Sequence, residues 1–174
     1  MIPIFLALAF IAILFIVVIA GQPANFAVVR ATNIFAPPEK IFPYVNDLRK
    51  WEAWSPWAKL DPNSKSTFEG PATGTGAAMA WVGNRKVGEG KMTITDSQPG
   101  QTISFRLDFQ KPMKATNVAE FTFRPVNRGT ELTWAMTGKN SLMGKIFGLF
   151  INCDKMVGGQ FENGLANLKA VVEN

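Results

Sequence analysis

The chain has no histidine and one cysteine, Cys153. Without histidine it lacks the commonest general base, the commonest metal ligand and the usual partner of a nucleophilic serine or cysteine. A lone cysteine closes no internal disulfide and gives no sign of an oxidising compartment. No base is placed beside Cys153 by the sequence, so it reads as an inert small residue. The carboxylates show no metal-ligand spacing, and Gly74-Thr75-Gly76 is not followed by the lysine of a phosphate loop, so no metal and no cofactor are expected. Acid–base chemistry is left to Asp154, Glu69 and Tyr44. Asp154 falls on the same helical stripe as Ile151 and Phe161, where it either orients a ligand or marks the edge of the stripe and meets solvent. No residue is assigned as catalytic.

The apolar residues are more informative. There are 14 Phe and 5 Trp against a single Tyr, a composition suited to gripping an apolar molecule. Inward strand positions that can line a cavity are Met79, Trp81, Phe105, Leu107, Phe109, Phe121, Phe123, Trp134 and Met136. A C-terminal helix adds Phe150, Val157, Phe161 and Leu165, with Asp154 as a polar member. Trp51, Trp54 and Trp57 lie in one turn-rich segment. Trp54 and Trp57 are counted with the site, because that segment either edges a cavity mouth, meets a membrane interface or anchors itself on the core. For every one of these residues the competing reading is ordinary core filling.

The elements that must position them follow from periodicity. Residues 26–35 are β-branched and apolar and read as a first strand. Pro37-Pro38 opens a short helix carrying Ile41, Phe42, Val45 and Leu48 on one face, with Pro43 awkward inside it. Period-two alternation then recurs over 78–82, 86–96, 102–109, 120–124 and 131–137, with turns at Gly83-Asn84, Pro99-Gly100 and Asn127-Arg128-Gly129. Arg106 and Arg124 alternate to the wet face. Residues 141–173 carry helical spacing and read as one long amphipathic helix, with Ser141 as its N-cap and Gly158-Gly159 as a weak point. The order predicts an α+β domain in which a curved antiparallel sheet is covered by its last helix.

The N-terminus differs in kind. Residues 2–20 contain no charged or polar side chain. As a helix this run is ~28 Å long against a hydrocarbon core of ~30 Å. Apolar residues cover every face, which argues against a buried core helix. No basic residue precedes the run and it exceeds a signal-peptide core, so an uncleaved single-pass anchor is expected over 1–21, with a domain over 22–174. The first basic residue, Arg30, follows the run, which leans towards a cytoplasmic domain. The net charge of +5 comes from 18 Lys and Arg against 13 Asp and Glu, all scattered after the apolar run. Such scatter excludes a nucleic-acid stripe and reads as a solvated surface, with weak attraction to anionic headgroups as the alternative.

Several segments carry a family resemblance. They are Ala36-Pro37-Pro38-Glu39-Lys40-Ile41-Phe42, then Asn46-Asp47-Leu48-Arg49-Lys50-Trp51-Glu52-Ala53-Trp54-Ser55-Pro56-Trp57, Gly88-Glu89-Gly90, Gly129-Thr130-Glu131-Leu132-Thr133-Trp134 and Phe161-Glu162-Asn163-Gly164-Leu165. Together they resemble the polyketide cyclase/dehydrase-type members of the START-like (SRPBCC) superfamily across residues 26–172. The resemblance implies a helix-grip fold, a bent sheet wrapped on the C-terminal helix around an apolar cavity, and ligands such as lipids, isoprenoids or polyketides. It transfers no catalytic residue, because no catalytic motif matches. Three functions compete: membrane-anchored binding of a hydrophobic small molecule, a cyclase or dehydrase acting on such a ligand, and a non-catalytic accessory or scaffold for another membrane protein. The first requires an apolar cavity, the second an acid or base facing it, the third an exposed apolar patch.

Overall fold

The computed structural model describes residues 2–149 and 153–174. Helix α1 (Ile2–Ala20) is joined by a short connection to strand β1 (Asn25–Ile34). Helix α2 (Pro38–Asn46) follows, then a 3-10 turn (Leu48–Ala53) and strands β2 (Lys65–Glu69), β3 (Ala78–Val82), β4 (Glu89–Gln98), β5 (Thr102–Lys111), β6 (Ala115–Val126) and β7 (Gly129–Lys139). Helices α3 (Leu142–Gly148) and α4 (Cys153–Glu173) close the chain. The seven strands form one antiparallel sheet in the order β1-β7-β6-β5-β4-β3-β2.

Alternation places one face of the sheet inside. In β7 the buried residues are Thr130, Leu132, Trp134 and Met136. Register shifts between β4 and β5, at Glu89/Gly90 and Ile94/Asp96, bend the sheet where its edge must curl over. Helix α4 lies across the concave face and buries Phe161, Leu165, Leu168 and Val172. This is the predicted α+β, helix-grip arrangement.

Two ends of the sheet must be distinguished. At the near end, where α1 joins, Asn25 pairs with Lys139, Asn117 with Gly138, Phe109 with Ala115, Gly90 with Phe109 and Trp81 with Gly90. At the far end lie the β4–β5 and β6–β7 turns. Helix α2 and the 3-10 turn are folded into the far half. There Ile41, Phe42, Val45 and Trp54 pack among Ile103, Phe121, Phe123 and Leu132 as solid core, with Leu48 and Trp51 at its border.

Three local expectations are corrected, and one strand is added. The first helix stops at Asn46, because Asp47 turns extended and its side chain accepts from Arg49 N at 3.0 Å, capping the 3-10 turn that carries the buried Leu48. Strand β2 was not legible, since its side chains are mostly exposed and do not alternate. The strand expected over 86–96 starts at Glu89, because Asn84 Oδ1 accepts from Lys86 N and Val87 N and holds a loop there. The long helix expected over 141–173 is two helices. Ser141 does cap the first, its Oγ accepting from Gly144 N at 3.0 Å.

Helix α1 projects from the sheet. Its side chains from Phe10 to Val18 are exposed, and Ile19 is buried near where α1 meets α3. Among the described residues no helix is long and apolar enough to cross a membrane, so the single-pass anchor expected over 1–21 is not shown.

Candidate functional site

The near half of the interior is hollow. A cavity of about 770 Å³ lies between the sheet and the first turns of α4, within the size range of small-molecule sites. Its floor is a row of paired strand residues. Phe105 of β5 faces Ala119 of β6, which faces Met136 of β7. The small side chain of Ala119 leaves the depression that its larger neighbours flank. Met79, Met92 and Leu107 extend the floor towards the β2–β3 edge, and Trp81 and Phe109 meet edge-on at 5.8 Å at its near end. Trp81 sits there because Gly90, its cross-strand partner, has no side chain: a Cβ at Gly90 would lie 2.6 Å from the indole.

The roof is aromatic. Phe161 of α4 stacks on Trp134 of β7 at 4.0 Å with the rings nearly parallel, and Trp57 approaches both rings edge-on. Gly164 permits this contact, since a Cβ there would lie 2.9 Å from the Trp134 ring. Trp51 closes the back, edge-on to Phe105 and Trp134, with its Nε1 donating to Val45 O at 2.9 Å.

Polar groups collect on one side, between the 3-10 turn and β2. Arg49, Glu52, Pro62 and Ser66 line the cavity and are exposed, so this side is its mouth. Arg49 lies over the Phe68 ring at 4.7 Å. Ser55 and Asp61 are buried at the rim. Asp61 is committed to its loop: its Oδ1 accepts from Asn63 N at 3.1 Å and its Oδ2 from Asn84 N at 2.7 Å.

Of the residues proposed from sequence, the cavity collects Trp57, Met79, Trp81, Phe105, Leu107, Phe109, Trp134, Met136, Val157 and Phe161. Four belong to the solid core instead: Trp54, Phe121, Phe123 and Leu165. Trp54 is pinned by its Nε1 donating to Tyr44 O at 3.0 Å, and Phe123 packs on Phe42 at 5.4 Å. Phe121 and Phe123 lie in the half of β6 that α2 and the 3-10 turn cover, Trp54 ends that turn, and Leu165 comes from the later turns of α4. Phe150 lies outside the described residues. Asp154 faces outward and forms an ion pair with Arg30 at 3.1 Å, the edge-of-stripe alternative. That hydrogen bond holds its carboxyl below the usual aspartate range. Glu69 is exposed and paired with Lys91, and Tyr44 is half-buried under Lys50, so none of the three acid–base candidates lines the cavity. Arg106 and Arg124 are exposed, as alternation implies.

Sequence reasoning missed Leu48, Met92, Phe68 and Ala119 as lining residues, and it offered Trp51 only with its segment as a mouth residue without counting it in the site. Met92 alternates correctly within β4 and was recoverable, whereas Ala119 carries no signal, because its role is to be small.

The sequence model of a family described as polyketide cyclase/dehydrase and lipid transport matches residues 25–173. The chain belongs to this polyketide cyclase/dehydrase and lipid transport family. No curated protein matches the chain significantly. Solved structures share the fold of the family member described here. Protein CV1439 of Chromobacterium violaceum is 16% identical, with a TM-score of 0.61 over 88% of this chain and 99% of that one. Protein MLL2253 of Mesorhizobium loti is 20% identical, with a TM-score of 0.59 over 85% and 97%. The di-domain ARO/CYC protein BexL of the BE-7585A biosynthetic pathway is 11% identical, with a TM-score of 0.62 over 91% of this chain and 53% of that one. At these identities the likeness is one of fold, and chemistry must be argued from the cavity.

Proposed function

We propose that this family member binds a hydrophobic small molecule of the lipid, isoprenoid or polyketide kind in the near-half cavity, and that α1 tethers it to a membrane. The observation that carries the binding reading is the 770 Å³ space with its aromatic roof and its polar groups confined to the mouth. Such a lining desolvates an apolar body and leaves a polar tip at water. The membership of the family, whose description includes lipid transport, agrees with it. The tether reading is supported by α1, a charge-free helix whose side chains from Phe10 to Val18 have no cover within the chain. On this reading residues 1–21 form the anchor and 22–174 the binding domain.

Mass spectrometry of the detergent-purified chain tests the binding reading, with a stoichiometric apolar molecule as the expected finding. A chain that carries none, and that also fails to bind anilinonaphthalene sulfonate in the cavity, overturns it. No observation favours a catalytic reading, because no lining carboxylate is free of structural hydrogen bonds and also buried.

A further inference from the structure

Five basic residues that are scattered in the sequence gather at one place in the fold. The strand register brings to the near end of the sheet the β3–β4 loop with Arg85 and Lys86, the β5–β6 turn with Lys114, and the end of β7 with Lys139. All four are exposed, and none has an ion-pair partner among the described residues. Helix α3 continues from β7 and adds Lys145. Ion pairs occur at both ends, Lys111–Glu89 at the near end and Arg124–Glu131 and Lys169–Glu173 at the far end, but Arg85, Lys86, Lys114 and Lys139 stand outside them.

Exposed apolar side chains share the near end. Met113 projects from the β5–β6 turn and Leu142 from the first turn of α3, at 44% and 66% exposure. The same end receives α1. Asn140 N donates to Ala24 O at 2.9 Å and Asn140 Nδ2 to Pro23 O at 3.0 Å, stapling the start of α3 to the α1–β1 connection. Helix α3 also packs against α1.

We infer that the near end of the domain is a docking surface for an anionic bilayer, on which Arg85, Lys86, Lys114, Lys139 and Lys145 meet lipid headgroups while Met113 and Leu142 enter the interface. The inference rests on the tether part of the proposed function, because α1 leaves the domain from this end. The connection from Ala20 to Asn25 is too short to let the domain swing far from the bilayer, since each residue spans at most ~3.6 Å. Docked this way, the Trp81 and Phe109 end of the cavity is the end nearest the lipid, and the mouth beside Arg49 opens along the membrane plane rather than at the far pole. Each basic residue near an anionic leaflet strengthens attachment about fivefold, so removing three charges weakens it about a hundredfold.

The test uses the full chain in nanodiscs of phosphatidylcholine, with and without phosphatidylserine, and reads amide hydrogen exchange. Phosphatidylserine is expected to slow exchange in segments 83–88 and 111–116 about tenfold or more. Segments 98–101 and 126–129 at the far end are expected to stay unchanged. The added protection disappears in the variant R85Q/K86Q/K114Q, whose exposed positions leave folding intact, and at high salt. Equal exchange in both lipids, or protection at the far-end turns, overturns the docking surface alone. A chain that does not incorporate into discs overturns the tether and the docking surface together, and leaves ligand binding to the mass-spectrometric test.

Discussion

Trp134 stands at the boundary between the solid and the hollow interior. One face of its ring stacks on Phe161 over the cavity, and its strand partner Phe121 is wholly buried. Substitutions on either side of this boundary separate stability from binding. Ala119→Phe fills the floor depression, so the bound apolar molecule is expected to be lost from the mass spectrum while the melting temperature moves little. Phe123→Ala, in the solid half, is expected to cost about 3–5 kcal/mol of stability with the bound molecule retained in the surviving folded fraction. Reversal of that pattern would place the ligand elsewhere. Asp154 supplies a pH signature. Its carboxyl is held low by the Arg30 hydrogen bond, so the unfolded chain takes up this proton at higher pH than the folded one. The stabilisation is present above the ordinary carboxylate range of about 4 and is lost as pH falls through the lowered folded value. Thermal melts from neutral to acid pH are expected to show this loss, reduced in Arg30→Met. Asp108, held low first by its Thr116 hydrogen bond, contributes with the same sign in both proteins.

At the scale of elements, β1 and α4 are joined by Arg30. Its side chain crosses α4 at Gly158, donating from Nε to Glu162 at 2.6 Å and from Nη2 to Asp154 at 3.1 Å. A Cβ on Gly158 would collide with the guanidinium. This explains why a residue that costs a helix about 1 kcal/mol relative to alanine stands inside α4. Gly158→Ala in the native background is expected to lie within about 1 kcal/mol of neutral, because the displaced exposed ion pairs offset the gain in helix propensity. In the Arg30→Ala background the same change is expected to stabilise by about 0.5–1 kcal/mol. A double-mutant cycle by denaturant titration measures the coupling, and additivity of the two changes would show that the arginine does not need the gap. Elements were legible where one face is buried, as in β5, β6 and β7, whose alternation matches the burial observed. They were not legible in β2, whose faces are both largely exposed and leave no period to read.

For the whole molecule the decisive asymmetry lies along the strands. One half of the sheet is plugged by α2 and its aromatic 3-10 turn, the other is left open under the first turns of α4, and α1 joins at the open end. A tether predicts that the full chain resists carbonate extraction from membranes. It also predicts that Ile13→Asp weakens that retention, since an aspartate mid-helix costs about 3 kcal/mol of insertion. Full solubility of the native chain after extraction would remove the anchor and leave the binding domain as described.

The sequence by itself determined which residues face inward, because side-chain direction follows a period of two in strands and 3.6 in helices and needs no partner to be read. It also settled the α+β order and the family, and it separated the apolar N-terminal run from the rest. Only the tertiary structure decided which inward residues line space and which fill it. Phe105 and Phe123 have the same pattern and burial, yet one borders the cavity and the other packs on Phe42. The difference is set by where α2 folds back along the strands, and by the gap that Ala119 leaves among larger neighbours. Both are relations between segments distant in the chain, and local periodicity carries no record of them. The gathering of scattered lysines at one end has the same cause, since strand register decides which loops become neighbours.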